Sequence, residues 1–269
     1  MLKPLFTSIA LAAFASGTLI APALAQTAAT TVSATAGETQ SMHADWSALL
    51  GKYVKADADN LNLFDYGALK ANADDSAKLD AYIESFATLD MSNLPRQEQY
   101  VAWINVYNAV TIQYIRDRYP TKSIRSGYII GPWKKIFVNV GGTDISLNDI
   151  EHETLRVQWS EPRTHYAVNC ASIGCPNLKP SAWEVSTLEA DLAKAAHDYI
   201  NHPRGVTIRK DGKLTVSTIY KWFKEDFGTS EANIIAHLSE YAEPELLAQI
   251  QAKPDIKNYA YDWSLNDAK

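Results

Sequence analysis

The stretch YVAWINVYNAVTIQYI, residues 100–115, decides the fold because it carries no charged side chain. A helix that is apolar on nearly every side is buried on most of them. Pro95 near its first turn and Pro120 beyond its end mark the helix limits. Asn105 and Asn108 lie one turn apart within it, and buried amides require hydrogen-bond partners. We therefore predict a long central helix in which both asparagines are buried and bonded.

The patterns on either side of this helix indicate the fold class. Further helical periodicities precede and follow it, whereas the strand-like segments come as hairpins, one around Gly141-Gly142 and one around Asp211-Gly212. No internal repeat is visible. We predict an α+β fold: a helix-rich single domain with a buried central helix packed on a small mixed or antiparallel sheet.

The N-terminus is typical of an exported protein. Lys3 precedes an apolar run, and Ala23-Leu24-Ala25 is a small-x-small cleavage pattern, so we predict a signal peptide at 1–25. Residues 26–43 contain almost no large apolar side chain and are predicted to be a disordered leader. The globular domain then spans 44–269, and the expected location is periplasmic or secreted.

Overall composition excludes some partners. The chain is 46% hydrophobic, as a packed globule requires, and has a formal net charge of −6 without a long Lys/Arg run. Nucleic acids and anionic membranes attract clustered cations, so neither is expected as a partner. No segment after the signal peptide is long and apolar enough to predict a membrane span.

The residues with the most reactive side chains are concentrated at 163–176. RTHYAVN, residues 163–169, alternates polar and apolar side chains and predicts a strand with His165 and Asn169 on one face. Cys170 would follow at the strand end, where a neighbouring imidazole would favour the thiolate. His165 or His152 is the candidate base, and Asn169 or an asparagine of the central helix would orient it. This arrangement suits acyl transfer or hydrolysis.

Two other interpretations of the same residues remain open. Cys170 and Cys175 are the only cysteines, and in an oxidising compartment such a pair forms a structural disulfide. Alternatively, Glu151, His152 and His165 would join the two thiols as metal ligands, although their spacing matches no standard zinc signature.

The order of motifs resembles the family called domain of unknown function 547 (DUF547), over roughly residues 94–266. The matching motifs are WINVYNA at 103–109, SLNDIEHETLR at 146–156, RTHYAVNCASIGCP at 163–176 and YDWSLN at 261–266. The polar motif residues that the resemblance carries over are Asn105, Asn108, Glu151, His152, Arg163, His165, Asn169, Cys170 and Cys175. One departure is Ala171, where the family usually has glycine.

The resemblance implies no assigned activity. Family members include intracellular plant proteins with the same two cysteines, where a stable disulfide is not expected, which favours a thiol role. Our hypothesis is a Cys/His hydrolase or acyltransferase that acts on an unknown small molecule or peptide, without cofactor or metal. Its catalytic residues would be Cys170, His165, Asn169 and His152, with Asn105, Asn108, Glu151, Arg163 and Cys175 in binding. The alternatives are a non-catalytic binding module stiffened by a Cys170–Cys175 disulfide, and a His/Cys metal site.

Overall fold

The computed structural model describes residues 41–269. The predicted signal peptide and the leader as far as residue 40 lie outside the described residues. The helices are, in chain order, α1 (Ala44–Tyr53), α2 (Tyr66–Ala71), α3 (Ala73–Glu84), α4 (Arg96–Arg118), α5 (Leu147–Asp149), a π-helix (Ile150–Leu155), α6 (Arg156–Trp159), α7 (Thr164–Ala167), α8 (Leu188–Ile200), α9 (Ile219–Trp222), α10 (Glu231–Tyr241) and α11 (Pro244–Ala252).

The strands form three small sheets. They are β1 (Val54–Ala56), β2 (Asn62–Phe64), β3 (Phe137–Val140), β4 (Thr143–Ser146), β5 (Val206–Ile208), β6 (Leu214–Ser217) and β7 (Ile256–Ala260). β1 pairs with β2 and β3 with β4, each antiparallel. In the third sheet, β6 pairs antiparallel with β5 and parallel with β7. Helices with small mixed and antiparallel sheets confirm the predicted α+β class.

The central helix is where the sequence predicted it. α4 begins directly after Pro95 and ends before Pro120, and every residue from 100 to 112 is buried. Its neighbours include α2, α3 and the π-helix, and it shares one hydrophobic cluster with Phe64 and with Val138 of the β3–β4 hairpin. A second cluster forms between α8, α10 and the β5–β7 sheet. Within 41–269, no helix has the length and apolar character that a bilayer crossing requires.

The strand predicted at 163–169 is wrong. The segment forms the one-turn helix α7, which ends at the extended residue Val168. Thr164 and His165 are polar yet buried, because Thr164 hydrogen-bonds Tyr100 at 2.6 Å and His165 binds Asp226 at 2.6 Å. Since polar residues here do not face water, their alternation carried no information about strand faces.

Candidate active site

A cleft of about 540 Å³ contains both cysteines and two of the histidines singled out from the sequence. The π-helix contributes Glu151 and His152, and the loop after α7 contributes Cys170 and Cys175. π-Helical turns occur frequently at functional sites. Aromatic and aliphatic side chains form most of the remaining wall: Ile129, Ile130, Trp133, Trp222, Phe223 and Trp263.

Asn108 of α4 positions the cysteine segment. Its Nδ2 donates to the carbonyl of Ala167 at 2.9 Å, and its Oδ1 accepts the backbone N–H of Asn169 at 2.8 Å. Asn105 binds both backbone groups of Trp183 in the same way, at 2.9 and 3.0 Å. Both predicted asparagines are therefore buried and bonded, but only Asn108 contacts the segment that carries the cysteines.

Asn169 closes the loop between the two cysteines. Its Nδ2 donates to the carbonyl of Pro176 and its Oδ1 accepts the N–H of Ala171, both at 2.8 Å. Ala171 has a φ of +59°, in the left-handed region that glycine occupies at lower energy. This conformation accounts for the glycine that the family resemblance leads one to expect there. Asn169 thus shapes the loop and does not orient an imidazole.

The two thiols share the same hydroxyl partners. Tyr261 Oη lies 3.1 Å from Cys170 Sγ and 3.0 Å from Cys175 Sγ, and Ser172 Oγ lies 3.2 and 3.4 Å from the same two atoms. Cys175 Sγ also accepts the backbone N–H of Cys170 at 3.0 Å. Both cysteines are free; Cys175 is buried and Cys170 is more exposed.

These contacts divide the acidity of the pair unequally. Burial opposes ionisation of Cys175, but hydrogen bonds from Cys170, Ser172 and Tyr261 outweigh it and lower the pKa of Cys175 to about 6. Burial raises the pKa of Cys170 well above its ordinary value, and the neighbouring Cys175 raises it further. The contacts therefore favour the thiolate on Cys175 and the protonated thiol on Cys170.

The histidines belong to a separate network beside the thiols. Asp226 accepts from His165 Nε2 at 2.6 Å and from Arg156 Nη2 at 2.9 Å, and the His165 ring stacks on Phe223. Burial disfavours the carboxylate, but the bonds from His165 and Arg156 prevail and lower the pKa of Asp226. Arg156 also binds His152 Nδ1 at 2.7 Å, and because a guanidinium only donates, this nitrogen accepts.

Within the described residues, neither imidazole forms a hydrogen bond to a sulfur atom. His165 and His152 line the same cleft as Cys170, but the partners of His165 Nε2 and His152 Nδ1 are Asp226 and Arg156. The Cys–His contact that the sequence suggested is thus absent from the site as it stands. Asp226 lies 61 residues beyond His165, too far for sequence reasoning to connect them.

The remaining predicted site residues lie in different places. Glu151 is buried in the cleft wall and accepts from the Tyr107 hydroxyl at 2.9 Å. Arg163 lies outside the cleft lining and pairs with Glu161 and Glu189, bracing α7 against the start of α8. Among residues 41–269, no three or more His, Cys, Asp or Glu side chains are grouped to hold a metal ion.

Tyr261 and Ser172 are the site residues that sequence reasoning missed. Both lie in quoted motifs, Ser172 between the cysteines and Tyr261 in the closing YDWSLN segment. The isolated bridge between Ser172 and Leu265 brings these two segments together. The aromatic residues of the YDWSLN segment could have indicated a buried position for Tyr261. Its contact with the sulfur atoms, however, depends on tertiary structure.

Comparison with known proteins covers three of the four quoted motifs, and YDWSLN at 261–266 lies outside the matched range. Residues 91–200 match the family model described as Protein of unknown function, DUF547. This segment is a DUF547 domain. The matched range of the DUF547 domain includes α4, the π-helix, both cysteines and α8, and so most of the polar residues of the cleft. No curated protein and no solved structure matches the chain significantly.

Proposed function

We propose that the cleft of this DUF547 protein carries out thiol–disulfide exchange, with Cys170 and Cys175 as the reactive pair. The observation that carries the proposal is the backbone N–H of Cys170 directed at Cys175 Sγ, together with two hydroxyls shared by both sulfurs. Such donors stabilise a thiolate, and a stabilised thiolate is a good leaving group in exchange reactions.

The difference in exposure assigns a role to each cysteine. In the disulfide form, a substrate thiolate attacks Cys170 Sγ, the more exposed sulfur, and forms a mixed disulfide. The Cys170–Cys175 bond breaks, and its electron pair leaves on Cys175, where the N–H and hydroxyl donors receive the charge. A second substrate thiolate then attacks the substrate sulfur of the mixed disulfide. Cys170 departs and takes up a proton, so two electrons pass from the substrate dithiol to the cysteine pair.

The walls of the cleft favour an apolar substrate. Trp133, Trp222 and Trp263 surround the cysteine pair, and Tyr261 packs against two of these rings, with centroids 4.8 Å from Trp222 and 4.6 Å from Trp263. A thiol carried on a hydrophobic or aromatic peptide segment would bury its neighbouring side chains here.

Thiol-dependent acyl transfer, with Cys170 as nucleophile, is the second candidate. It is supported by His152 and His165, which line the cleft, and by the His165–Asp226 pair. It requires an imidazole to move within reach of Cys170, because the present partners of both histidines lie elsewhere. A third candidate, a binding module with a structural disulfide, is supported by Tyr261 Oη, which lies within 3.1 Å of both sulfurs.

A trapping experiment with glutathione disulfide separates these functions. Cys175→Ser removes the neighbouring thiol that helps to raise the pKa of Cys170, so Cys170 can react as thiolate. The resolving thiolate is missing in this variant, so a mixed disulfide with glutathione should accumulate and be visible by mass spectrometry. In Cys170→Ser, the remaining buried thiolate should form much less of it. The unmodified chain should end as the internal disulfide and release two glutathione molecules per chain.

The other outcomes contradict the proposal. Equal trapping in the two variants would remove the assigned roles. An internal disulfide that dithiothreitol cannot reduce in the folded protein would favour the structural role. Hydrolysis of activated esters that needs Cys170 but not Cys175 would favour acyl transfer.

A further inference from the structure

The segment between α4 and β4 has a charge opposite to that of the whole chain. From residue 118 to residue 143 there are five basic and no acidic residues, although the formal net charge of the chain is −6. The basic residues are Arg118, Lys122, Arg125, Lys134 and Lys135. None of them lies within salt-bridge distance of a carboxylate in the described part of the chain. Their charge is therefore available to an external anion.

The same segment exposes two adjacent isoleucines, which we call the apolar tip. Ile129 is 91% exposed and Ile130 is 87% exposed, more than any other large hydrophobic side chain in residues 41–269. Gly127 and Gly131 flank the tip at φ values of +84° and +114°, which glycine adopts most readily. The loop thus projects the two side chains into water, where exposed apolar surface does not stabilise the fold unless a partner buries it.

Cations and aromatic rings surround the tip at close range. Arg125 Nη2 donates to the carbonyl of Ile129 at 2.5 Å, and Lys135 Nζ lies 5.4 Å from the centroid of the Tyr128 ring. Trp133 follows the tip and is partly exposed. Isoleucines with neighbouring tyrosine, tryptophan and lysine are the side chains that the interfacial zone of a bilayer accommodates.

We propose that the apolar tip inserts into the surface of an anionic membrane while the surrounding lysines and arginines contact the lipid phosphates. Whole-chain charge argued against this partner, but a membrane experiences the local charge of the docking face, since potentials decay within a Debye length. Ile129, Ile130 and Trp133 also line the cleft, so docking places the cleft opening at the bilayer surface. The proposal does not depend on the reaction that the cysteines perform.

Vesicle co-sedimentation tests the proposal. The probe is purified protein of determined N-terminus, because an uncleaved apolar N-terminal run would itself bind lipid. Phosphatidylglycerol vesicles should sediment the protein and phosphatidylcholine vesicles should not, and added salt should weaken the binding. Ile129→Ser/Ile130→Ser should reduce the partition coefficient roughly tenfold or more, because apolar insertion is lost.

Matched variants control for general effects of charge and hydrophobicity. Lys134→Gln/Lys135→Gln should weaken binding and flatten its salt dependence, whereas Lys210→Gln/Lys257→Gln, which removes two exposed lysines elsewhere, should not. Val157→Ser removes an exposed apolar side chain outside the tip and should bind as before. The proposal is overturned if the protein does not bind phosphatidylglycerol vesicles, or if the isoleucine double variant binds them as strongly as the unmodified protein. A tip that docks a protein instead of a lipid surface would give no binding to these vesicles.

Discussion

The backbone N–H of Cys170 donates a hydrogen bond to Cys175 Sγ at 3.0 Å. The contact makes the two cysteines chemically unequal, because the backbone of Cys170 donates to the sulfur of Cys175, whereas the backbone of Cys175 does not donate to the sulfur of Cys170. The donors around Cys175 Sγ favour its thiolate, and Cys170 is the sulfur that a substrate reaches more easily. The predictions for the thiol site follow from this asymmetry.

Tyr261→Phe should raise the pKa of Cys175. The change removes a hydroxyl 3.0 Å from Cys175 Sγ, and a hydrogen bond to a charged group contributes about 1.5–3 kcal/mol, or roughly one to two pH units. Because a less stable thiolate makes the reduced state less favourable, the reduction potential should fall by roughly 30 mV per pH unit. Thiolate absorbance against pH and glutathione equilibration measure the two effects. Tyr259→Phe, a ring outside the sulfur cluster, is the control and should change neither.

When His165→Ala is added to the Cys175→Ser variant, the rate at which the mixed disulfide with glutathione forms should not change. His165 Nε2 binds Asp226, and no hydrogen bond connects its ring to Cys170 Sγ. The reaction is followed by mass spectrometry at several times after mixing. A loss of about tenfold or more, the size expected for removal of a general base, would instead support the acyl-transfer arrangement.

Asn108→Leu should lower the free energy of unfolding by about 1–3 kcal/mol, because it leaves a buried N–H and a buried carbonyl without partners. Asn105→Leu should cost a similar amount, since it breaks the equivalent pair of bonds to Trp183. Only Asn108→Leu should also slow thiol–disulfide exchange, because Asn108 binds the backbone of Ala167 and Asn169, which directly precede Cys170. Urea denaturation and the glutathione assay give the two readouts. Equal effects of both variants on exchange would show that Asn108 has no special role at the cysteines.

Acid should destabilise the protein through His43. Burial lowers the pKa of His43 to about 4, only partly opposed by Glu184, so the folded state favours the neutral ring. The neutral ring contributes fully to the free energy of unfolding above pH 6.5, about the pKa of histidine in the unfolded chain. This contribution is lost as pH falls towards 4, which lowers the free energy of unfolding by roughly 2–3 kcal/mol. Urea denaturation at successive pH values measures this slope. His43→Gln should flatten it, whereas His197→Gln, at a half-exposed side chain, should not.

Mass spectrometry of the purified protein should find Gln26 at the N-terminus. The Ala23-Leu24-Ala25 pattern predicts the cleavage site there, and a cleaved chain would be recovered from the periplasm or the medium. Recovery of a chain that begins at Met1 in the membrane fraction would contradict both the cleavage site and the expected location.

The sequence alone determined the helix-rich α+β fold and the place of its central helix. Those features depend on short-range patterns: an uncharged run sixteen residues long bounded by prolines, and two hairpin turns. The burial of Asn105 and Asn108 followed from the same run. The sequence also selected five residues that line one cleft: Glu151, His152, His165, Cys170 and Cys175.

Only the tertiary structure decided which of these residues act on one another. His165 binds Asp226 rather than Cys170, and the hydroxyl that contacts both sulfurs comes from Tyr261, 91 residues beyond Cys170. The wrong strand at 163–169 has the same origin, because Thr164 and His165 are polar side chains buried by partners remote in sequence. Periodicity reports which side of an element avoids water, whereas hydrogen bonds between distant segments depend on how the whole chain packs.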